Sequence, residues 1–376
     1  MTLVIIVAVV VVALAVGVAF ITVNHNNSSR NTGSAGFAGY PSTLPSLTIN
    51  VEGSSLMYIV FLAWLRNFTH FYNNVPINVD GGGSGLGQQD IERSLVQIGT
   101  SDAFLFNQTQ QQYPWILDIP LAVSAQQVNY NVPGIPSTMH LNFSGPVLAG
   151  IYNGSIPYWD DPAIKAINPA AASLLPHHSI TTIHRADGSG DTYIFTSYLS
   201  KSDPWWSNKI GYGLTVNWTP LSSSIAASGN SGMELNCQQY NYSIAYIGIS
   251  YLASAVALHL GYGYLQNAAG NFVNISASNI QADLNAFTSQ VPADERISMI
   301  YGPGANSYPI VNFEYALVSK NQTNSNLSED LHTFLKWSAD PTNGNSPYYL
   351  KFANFQPLPA SVYQLTLNQI NQIGTS

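Results

Sequence analysis

Short apolar runs alternate with helical patterns along most of this chain. The first series predicts strands at Leu47–Val51, Pro76–Val79 and Val96–Gly99, and helices at Leu56–Phe71 and Leu86–Leu95. A second series comprises Pro146–Asn153, Ile180–Arg185, Thr192–Tyr198 and Ile244–Ile249. Strands that alternate with helices favour parallel βαβ units, and 376 residues exceed the size at which one hydrophobic core usually stops growing. The sequence therefore predicts two α/β lobes.

Some of the predicted strand-to-helix junctions are rich in glycine and serine. They are Glu52–Ser55, Asp80–Gly85 and Arg185–Gly190. Glycine lets backbone N–H groups approach a ligand closely, and a helix N-terminus presents unpaired donors with a partial positive charge. Such junctions together can form a cradle for an anion, although Ser and Gly also cap helices without contacting any ligand. None has P-loop or GxGxxG spacing, so a nucleotide site is not predicted.

Charged residues make up only 8% of the chain, and the net charge is −8. The Lys and Arg residues are scattered, so the sequence lacks the basic stripe that neutralises nucleic-acid phosphates. Cys237 is the single cysteine, which excludes an intrachain disulfide and a CxxC redox pair. We therefore predict no nucleic-acid partner, no metal and no cofactor, and we expect Cys237 to be a small buried side chain.

An uncharged apolar run at Leu3–Val23 is long enough to cross a bilayer core of about 30 Å. No Lys or Arg precedes Arg30, and the run is longer than the apolar part of a typical cleaved signal peptide. We therefore expect a retained membrane anchor over residues 1–23, with a cleaved signal as the alternative. The following residues, 24–45, are rich in Asn, Ser and Gly and predict a flexible linker.

Asn-x-Ser/Thr acceptors for N-glycosylation are spread along the whole chain. They are Asn26, Asn27, Asn67, Asn107, Asn142, Asn153, Asn217, Asn241, Asn274, Asn321 and Asn326. A chain rich in Asn and Ser generates several such triplets by chance, so each alone is weak. Their spread nevertheless favours a glycosylated protein on the extracellular face of the membrane.

Longer motifs occur at Val96–Ala103, at Gly145–Ala149 followed by Tyr158–Ile164, and at His184–Gly190 followed by Phe195–Lys201. In this order they resemble the phosphate-binding proteins of bacterial and archaeal phosphate ABC transporters, the PstS type. The resemblance extends from about Leu47 to the C-terminus. Several motifs in the order of the family are more specific than any single motif.

The resemblance implies an α/β periplasmic-binding-protein fold of the Venus flytrap kind, in which two lobes joined by two crossover strands close on one phosphate. It implies that residues 46–129 and 309–376 form the first lobe, and that residues 130–308 form the second. The crossovers would lie near Asn129–Pro133 and Tyr308–Ile310. Hinge closure would then bury the anion. The implied function is an extracytoplasmic receptor, not an enzyme, that delivers inorganic phosphate to the permease subunits of an ABC importer.

The resemblance also implies phosphate-binding residues, which come from both lobes. They are Ser55, Leu56, Ser84, Asp102, Arg185, Ser189 and Gly190. Asp102 matches the family aspartate that accepts a hydrogen bond from a ligand proton, and such a carboxylate would repel sulfate, which has no proton near neutral pH. Arg185 offers fixed donors to phosphate oxygens, and Asp187 matches the acidic residue that orients it.

Some positions depart from the family pattern. Leu56 replaces Phe, and Gly85 and Leu86 replace Ser-Gly in the glycine loop. Asp191 stands where the family usually has Thr, and Thr192 follows it, so both are further candidates for phosphate contact. If Asp191 accepts a second ligand proton, phosphate binding will weaken as the pH rises.

Other functions remain open at this point. A phosphatase or other hydrolase would use titratable side chains such as His70, His140, His177, His178 and His184, but no metal-binding spacing such as HExxH is present. A glycosylated surface or filament protein would keep the binding fold with an empty cleft. A receptor for another oxyanion would differ in competition by sulfate, arsenate and molybdate.

Overall fold

The computed structural model describes residues 37–375. The predicted membrane segment at residues 1–23, most of the predicted linker and the acceptors Asn26 and Asn27 lie outside the described residues. Within residues 37–375, every helix is too short or too polar to cross a bilayer.

The described chain alternates strands and helices from Ile49 onward. The strands β1 to β14 are, in chain order, Ile49–Gly53, Ile77–Asp80, Ile98–Ser101, Ile116–Asn131, Asn142–Phe143, Thr181–Arg185, Ser224–Ala227, Ser243–Gly248, Gly261–Tyr262, Tyr264–Gln266, Phe272–Val273, Val311–Ser319, Asn321–Gln322 and Gly374–Thr375. The α-helices α1 to α13 are Tyr58–Phe71, Ser84–Glu92, Asn107–Gln112, Gly145–Asn153, Pro162–Ile167, Gly190–Ser202, Pro204–Lys209, Gly229–Gln239, Leu252–Ala257, Ala277–Phe287, Ser325–Ala339, Pro347–Leu350 and Ala360–Ile370. Short 3-10 turns lie at Ile249–Tyr251, Thr288–Gln290 and Lys351–Ala353.

One curled sheet holds the two lobes together, with strand order β2-β1-β3-β12-β4-β8-β6-β7 and with β9 on β4. The outer parts are parallel, β2-β1-β3 at one end and β8-β6-β7 at the other. The central strand β4 is antiparallel to both of its long neighbours, β12 and β8. Each end of the sheet is thus a βαβ layer, as the alternation in the sequence predicts.

Strand β4 serves both lobes. It pairs with β12 as far as Ala125 and with β8 from Gln126 onward. The return connection runs beside this point, because Gln126 N donates to Ile310 O at 3.1 Å and Tyr308 Oη donates to Gln126 O at 2.8 Å. Buried side chains fill β4 along its entire length except for Asn131. The prediction of a two-lobed α/β binding-protein fold is confirmed.

Residues 37–45 pack against the folded body, which corrects the prediction that the flexible linker extends to residue 45. The Phe37 ring lies 4.2 Å from the Phe71 ring and 5.2 Å from the Trp337 ring, between centroids. Tyr40 Oη donates to Asp340 Oδ2 at 2.7 Å, and Leu44 is buried. The composition of this segment is that of a linker, but its few large apolar side chains are enough to anchor it.

Candidate functional site

The first junction places a buried serine pair between β1 and α1. Ser54 Oγ accepts hydrogen bonds from the backbone N–H groups of Leu56 and Met57, both at 3.1 Å, and donates to Asp102 Oδ1. Ser55 Oγ instead accepts from Asn230 of the second lobe, from both N and Nδ2 at 3.2 Å. Leu56 is buried and points towards Gly248 of the second lobe. The junction therefore fixes the turn before α1 on one side and contacts the opposite lobe on the other.

The second junction is the glycine loop before α2. Ser84 begins α2 and is 1% exposed, and its Oγ accepts from Asp102 N at 3.2 Å. Gly85 N donates to Gly188 O across the cleft at 2.9 Å. Gly83 has φ +107° and lies so close to Asp187 that a Cβ would collide with that carboxylate. Glycine is required here because only a backbone without a side chain can approach the other lobe so closely.

Asp102 follows the end of β3 and is 2% exposed. Its carboxylate accepts from Ser54 Oγ and lies in hydrogen-bonding contact with the carboxyl group of Glu314. Burial raises the pKa of Asp102, although hydrogen bonds with Glu314 and Ser54 and the charge of Arg185 act in the opposite direction. Asp102 Oδ2 faces the start of α6, since a Cβ on Gly190 would lie 2.5 Å from it.

Arg185 is the last residue of β6, and only 4% of it is exposed. Its Nε and Nη2 donate to Asp187, with Nε at 2.8 Å from Oδ1, and its Nη1 donates to Asp191 Oδ2 at 2.9 Å. A guanidinium has five N–H donors, so these bonds leave two. Arg185 is therefore fixed from two sides and still has donors for an anion.

The third junction begins α6. Ser189 is the N-cap, and its Oγ accepts from Thr192 N at 3.4 Å. The backbone N–H groups of Gly190 and Asp191 donate to none of the residues that the structure describes. Because a helix start carries a partial positive charge, this end of α6 presents two N–H donors towards Asp102 and Ser84 of the first lobe.

Asp191 and Thr192, the two further candidates for phosphate contact, both form hydrogen bonds with other residues of the protein. Asp191 accepts from Arg185 Nη1 and from Asn230 Nδ2 at 2.7 Å through Oδ2, and from Gln126 Nε2 at 3.0 Å through Oδ1. The Thr192 hydroxyl lies 2.8 Å from Tyr246 Oη, which also accepts from Arg185 N at 2.9 Å. Burial, and then the charge of Asp102, raise the pKa of Asp191 despite the opposing effect of Arg185.

The structure brings the residues predicted from both lobes to one place, and it adds others that the sequence did not indicate. The additional residues at the site are Ser54, Gln126, Asn230, Tyr246 and Glu314. Ser54 adjoins a predicted residue and belongs to the same junction motif. Asn230 follows Ser228 and Gly229 at the junction between β7 and α8, which is a signal of the same kind as at the predicted junctions. Gln126, Tyr246 and Glu314 lie within strands, where no local signal marks them.

The histidines proposed for a hydrolase contact different residues and do not form a cluster. His140 Nδ1 lies 3.0 Å from Tyr262 O, His177 pairs with Asp160, and the His178 ring stacks on Tyr242. His184 Nδ1 contacts Ser224 Oγ at 3.0 Å, and His70 lies in the last turn of α1. Within residues 37–375 no group of three or more His, Cys, Asp and Glu side chains is arranged to hold a metal ion.

Comparison with known proteins gives the same fold and family. The family model of the PBP superfamily domain matches residues 32–342. The phosphate-binding protein PstS of Methanocaldococcus jannaschii is 34% identical over 349 residues, which is 89% of this chain and 87% of that protein. The phosphate-binding protein PstS of Haemophilus influenzae is 31% identical over 291 residues, which is 77% of this chain and 84% of that protein.

A solved structure shows the same architecture at lower identity. The crystal structure of a phosphate-binding protein from Stenotrophomonas maltophilia superposes with a TM-score of 0.63 at 18% identity, covering 85% of this chain and 93% of that one. The shared fold, the family model and the identity to the curated relatives agree. This chain belongs to the PstS family of phosphate-binding proteins, within the PBP superfamily.

Proposed function

We propose that this protein binds inorganic phosphate outside the cytoplasm and delivers it to the permease subunits of an ABC importer. The observation that carries the proposal is the meeting of Ser84 and Asp102 of one lobe with Arg185 and the start of α6 of the other. The named function of the curated relatives, phosphate binding, supports the same conclusion.

The serine hydroxyls are arranged to donate to an anion. Ser55 Oγ, Ser84 Oγ and Ser189 Oγ each accept a protein N–H, and the hydroxyls of Ser55 and Ser189 donate to no other described residue. Those two serines therefore keep their own proton for an acceptor, whereas the Ser84 hydroxyl also lies in hydrogen-bonding contact with the Asp102 carboxylate. Together with two N–H donors of Arg185 and the N–H groups of Gly190 and Asp191, they can surround the oxygens of one phosphate. We propose that Leu56 contributes mainly by packing, because its N–H donates to Ser54.

Asp102 supplies the selectivity. A buried carboxylate facing an anion is favourable only if the anion carries a proton, as phosphate does near neutral pH and sulfate does not. We propose that Asp187 and Asp191 position Arg185 rather than contact phosphate through their carboxylates. Thr192 would act through Tyr246, which holds the backbone of Arg185.

The decisive experiment is calorimetric titration of the purified full-length chain, freed of any ligand, with phosphate, sulfate, arsenate and molybdate. We expect saturable binding of phosphate with a stoichiometry of one and little response to sulfate. Replacement of Asp102 by Asn should reduce the discrimination between the two anions. Tighter binding of another oxyanion would reassign the ligand, and an empty cleft in a polymeric protein would favour a surface or filament role.

The N-terminal segment and the glycosylation acceptors concern the location of the receptor. We propose that the Leu3–Val23 segment anchors it to the extracellular face of the membrane and that exposed acceptors such as Asn107, Asn217 and Asn241 carry glycans. We retain the lobe boundaries near residues 129 and 309, since β4 changes partners close to the first of these and passes Ile310 close to the second.

A further inference from the structure

A second carboxyl group lies behind Asp102 in the central sheet. Glu314 is in β12, opposite Ala122 of β4, and is 0% exposed. The same strand holds the Asp102 segment from behind, because Asn312 Nδ2 donates to Asp102 O at 3.0 Å. Glu314 is therefore part of the support of the proposed phosphate site, although it lies more than 200 residues away from Asp102 in sequence.

The two carboxyl oxygens of Glu314 differ in their hydrogen bonds. Its Oε1 accepts from Ser124 Oγ and from Asn312 Nδ2 at 3.0 Å. Its Oε2 has no N–H or O–H donor among the described residues, and the carboxyl group lies in hydrogen-bonding contact with that of Asp102. A hydrogen bond between two carboxyl groups requires a proton on one of them.

The charges around this pair decide which carboxyl group holds the proton. Asp102 receives a hydrogen bond from Ser54 Oγ and is close to the charge of Arg185. Glu314 has only neutral donors, Ser124 and Asn312, and the charge that acts on it is that of Asp102. Two ionised carboxylates in contact in a buried site repel strongly, so the proton belongs to Glu314.

We propose that Glu314 is a neutral carboxylic acid that donates its proton to Asp102 and thereby positions Asp102 as the acceptor for a protonated oxyanion. The inference rests on the proposed phosphate function. The Glu314 proton and Ser54 together fix the carboxylate of Asp102, which presents Oδ2 towards Gly190 and Ser84. Asp102 then keeps one negative charge to pair with a ligand proton, and the carboxyl pair as a whole carries one charge instead of two.

This arrangement makes phosphate binding depend on pH, because Glu314 must stay protonated. Burial, and then the charge of Asp102, raise the pKa of Glu314 well above its usual range. Once Glu314 ionises, Asp102 loses its donor and the ligand faces a second negative charge. For one linked proton, phosphate affinity should fall by about tenfold for each pH unit above that pKa.

The test compares the phosphate and sulfate affinities of the parent, Glu314→Gln and Glu314→Ala in the full chain from pH 5 to pH 10. Gln keeps a donor towards Asp102 and cannot ionise, so we expect parent-like affinity at pH 6 and loss of the decline that ionisation of Glu314 causes at higher pH. Ala removes the donor, and phosphate affinity should fall by about 10- to 100-fold with poorer discrimination against sulfate. Glu295→Gln is the matched control, because Glu295 is equally buried but bonds Thr366 away from the site.

Infrared difference spectra provide a readout that does not depend on phosphate. The difference spectrum between the parent and Glu314→Gln at neutral pH should contain the carbonyl stretch of one protonated carboxylic acid, because the bands of the other buried carboxyl groups are common to both proteins and cancel. The inference is overturned if Gln loses affinity as Ala does, if the pH profiles of parent and Gln coincide, or if this band is missing from the difference spectrum. Failure of the parent to bind phosphate would instead reject the proposed function, and the infrared band would still decide the state of Glu314.

Discussion

Arg185 is buried between the carboxylates of Asp187 and Asp191. Replacing Arg185 by Ala should weaken phosphate binding by more than 100-fold, because loss of one charged partner in a desolvated site costs about 2–5 kcal/mol. It should also lower the free energy of unfolding by about 3–5 kcal/mol, since Asp191 is left buried without its cation. Calorimetric titration and chemical denaturation measure the two effects separately.

Arg296 offers the matched control for this prediction. It pairs with Asp294 and donates to Leu105 O at 3.1 Å, away from the cleft. Arg296→Ala should therefore bind phosphate like the parent. Parent-like binding by Arg185→Ala would instead mean that the proposed site is misplaced.

Asp191 should make phosphate affinity sensitive to pH near neutrality. Burial and the charge of Asp102 raise the pKa of Asp191 to about 7, so Asp191 is protonated in mild acid and ionised above that value. Ionisation adds a negative charge beside the anion, and phosphate affinity should fall as the pH rises from 5 to 8. Asp191→Thr should bind phosphate less pH-dependently than the parent, and better at pH 8. The ionisation of phosphate itself is common to both proteins, so equal slopes in titrations at the two pH values would reject this role.

The glycine loop before α2 lets the two lobes approach each other. Gly83→Ala should lower phosphate affinity as well as stability, because its Cβ would collide with Asp187 and lie 2.9 Å from Gly188 O. Gly270→Ala is the control: Gly270 also has positive φ, +86°, but a Cβ there meets nothing within 4 Å. Both variants should lose about 1–3 kcal/mol because Ala is placed at a positive φ, and only Gly83→Ala should lose affinity. Equal affinities in the two variants would contradict the packing argument.

Elements with local signals were predictable from the sequence, and their partners across the sheet were not. The predicted helix Leu56–Phe71 is observed as Tyr58–Phe71, and the predicted strand Pro76–Val79 as Ile77–Asp80. Ser84, Arg185 and Ser189 lie in junction motifs, which mark them directly. Glu314 has no such mark, because its position behind Asp102 arises only when β12 pairs with β3 and β4. Asn230 follows the glycine junction of Ser228 and Gly229, but its contacts with Ser55 and Asp191, which join the two lobes, arise only in the folded chain.

Buried carboxyl groups throughout the protein should make it more stable in mild acid than in base. Burial raises the pKa of Asp118 to about 7, of Asp283 to about 8 and of Glu295 to about 9. These carboxyl groups bind protons more tightly in the folded protein than in the unfolded chain. Their contribution to stability is therefore complete below the unfolded pKa of about 4, and it is lost as the pH rises through the pKa values of the folded protein. The Tm should fall by about 5 °C or more between pH 5 and pH 8.5, as calorimetric scans would show.

The variant Glu295→Gln tests whether buried carboxyl groups cause this fall of the Tm with pH. It removes one buried titratable group and should flatten the decline of Tm above pH 7. Asp340 acts in the opposite direction: burial raises its pKa, but hydrogen bonds from Thr342 and Tyr40 lower it overall. Its contribution is lost as the pH falls below about 4, so stability should peak between these limits. A Tm that rises from pH 5 to pH 8.5 would refute the assignment.

The position of β12 between β3 and β4 has a consequence for how the chain is made. Strands β1 to β3 are complete by Ser101, but their inner neighbour begins only at Val311. At a synthesis rate of about 5–20 residues per second, the edge of β3 waits about 10–40 s for its partner. An unpaired edge invites pairing with other chains, so the new polypeptide needs protection from aggregation during this interval. Ser55, Ser84, Asp102 and Arg185 are all in the first half of the chain, yet they cannot form a site until translation has passed β12.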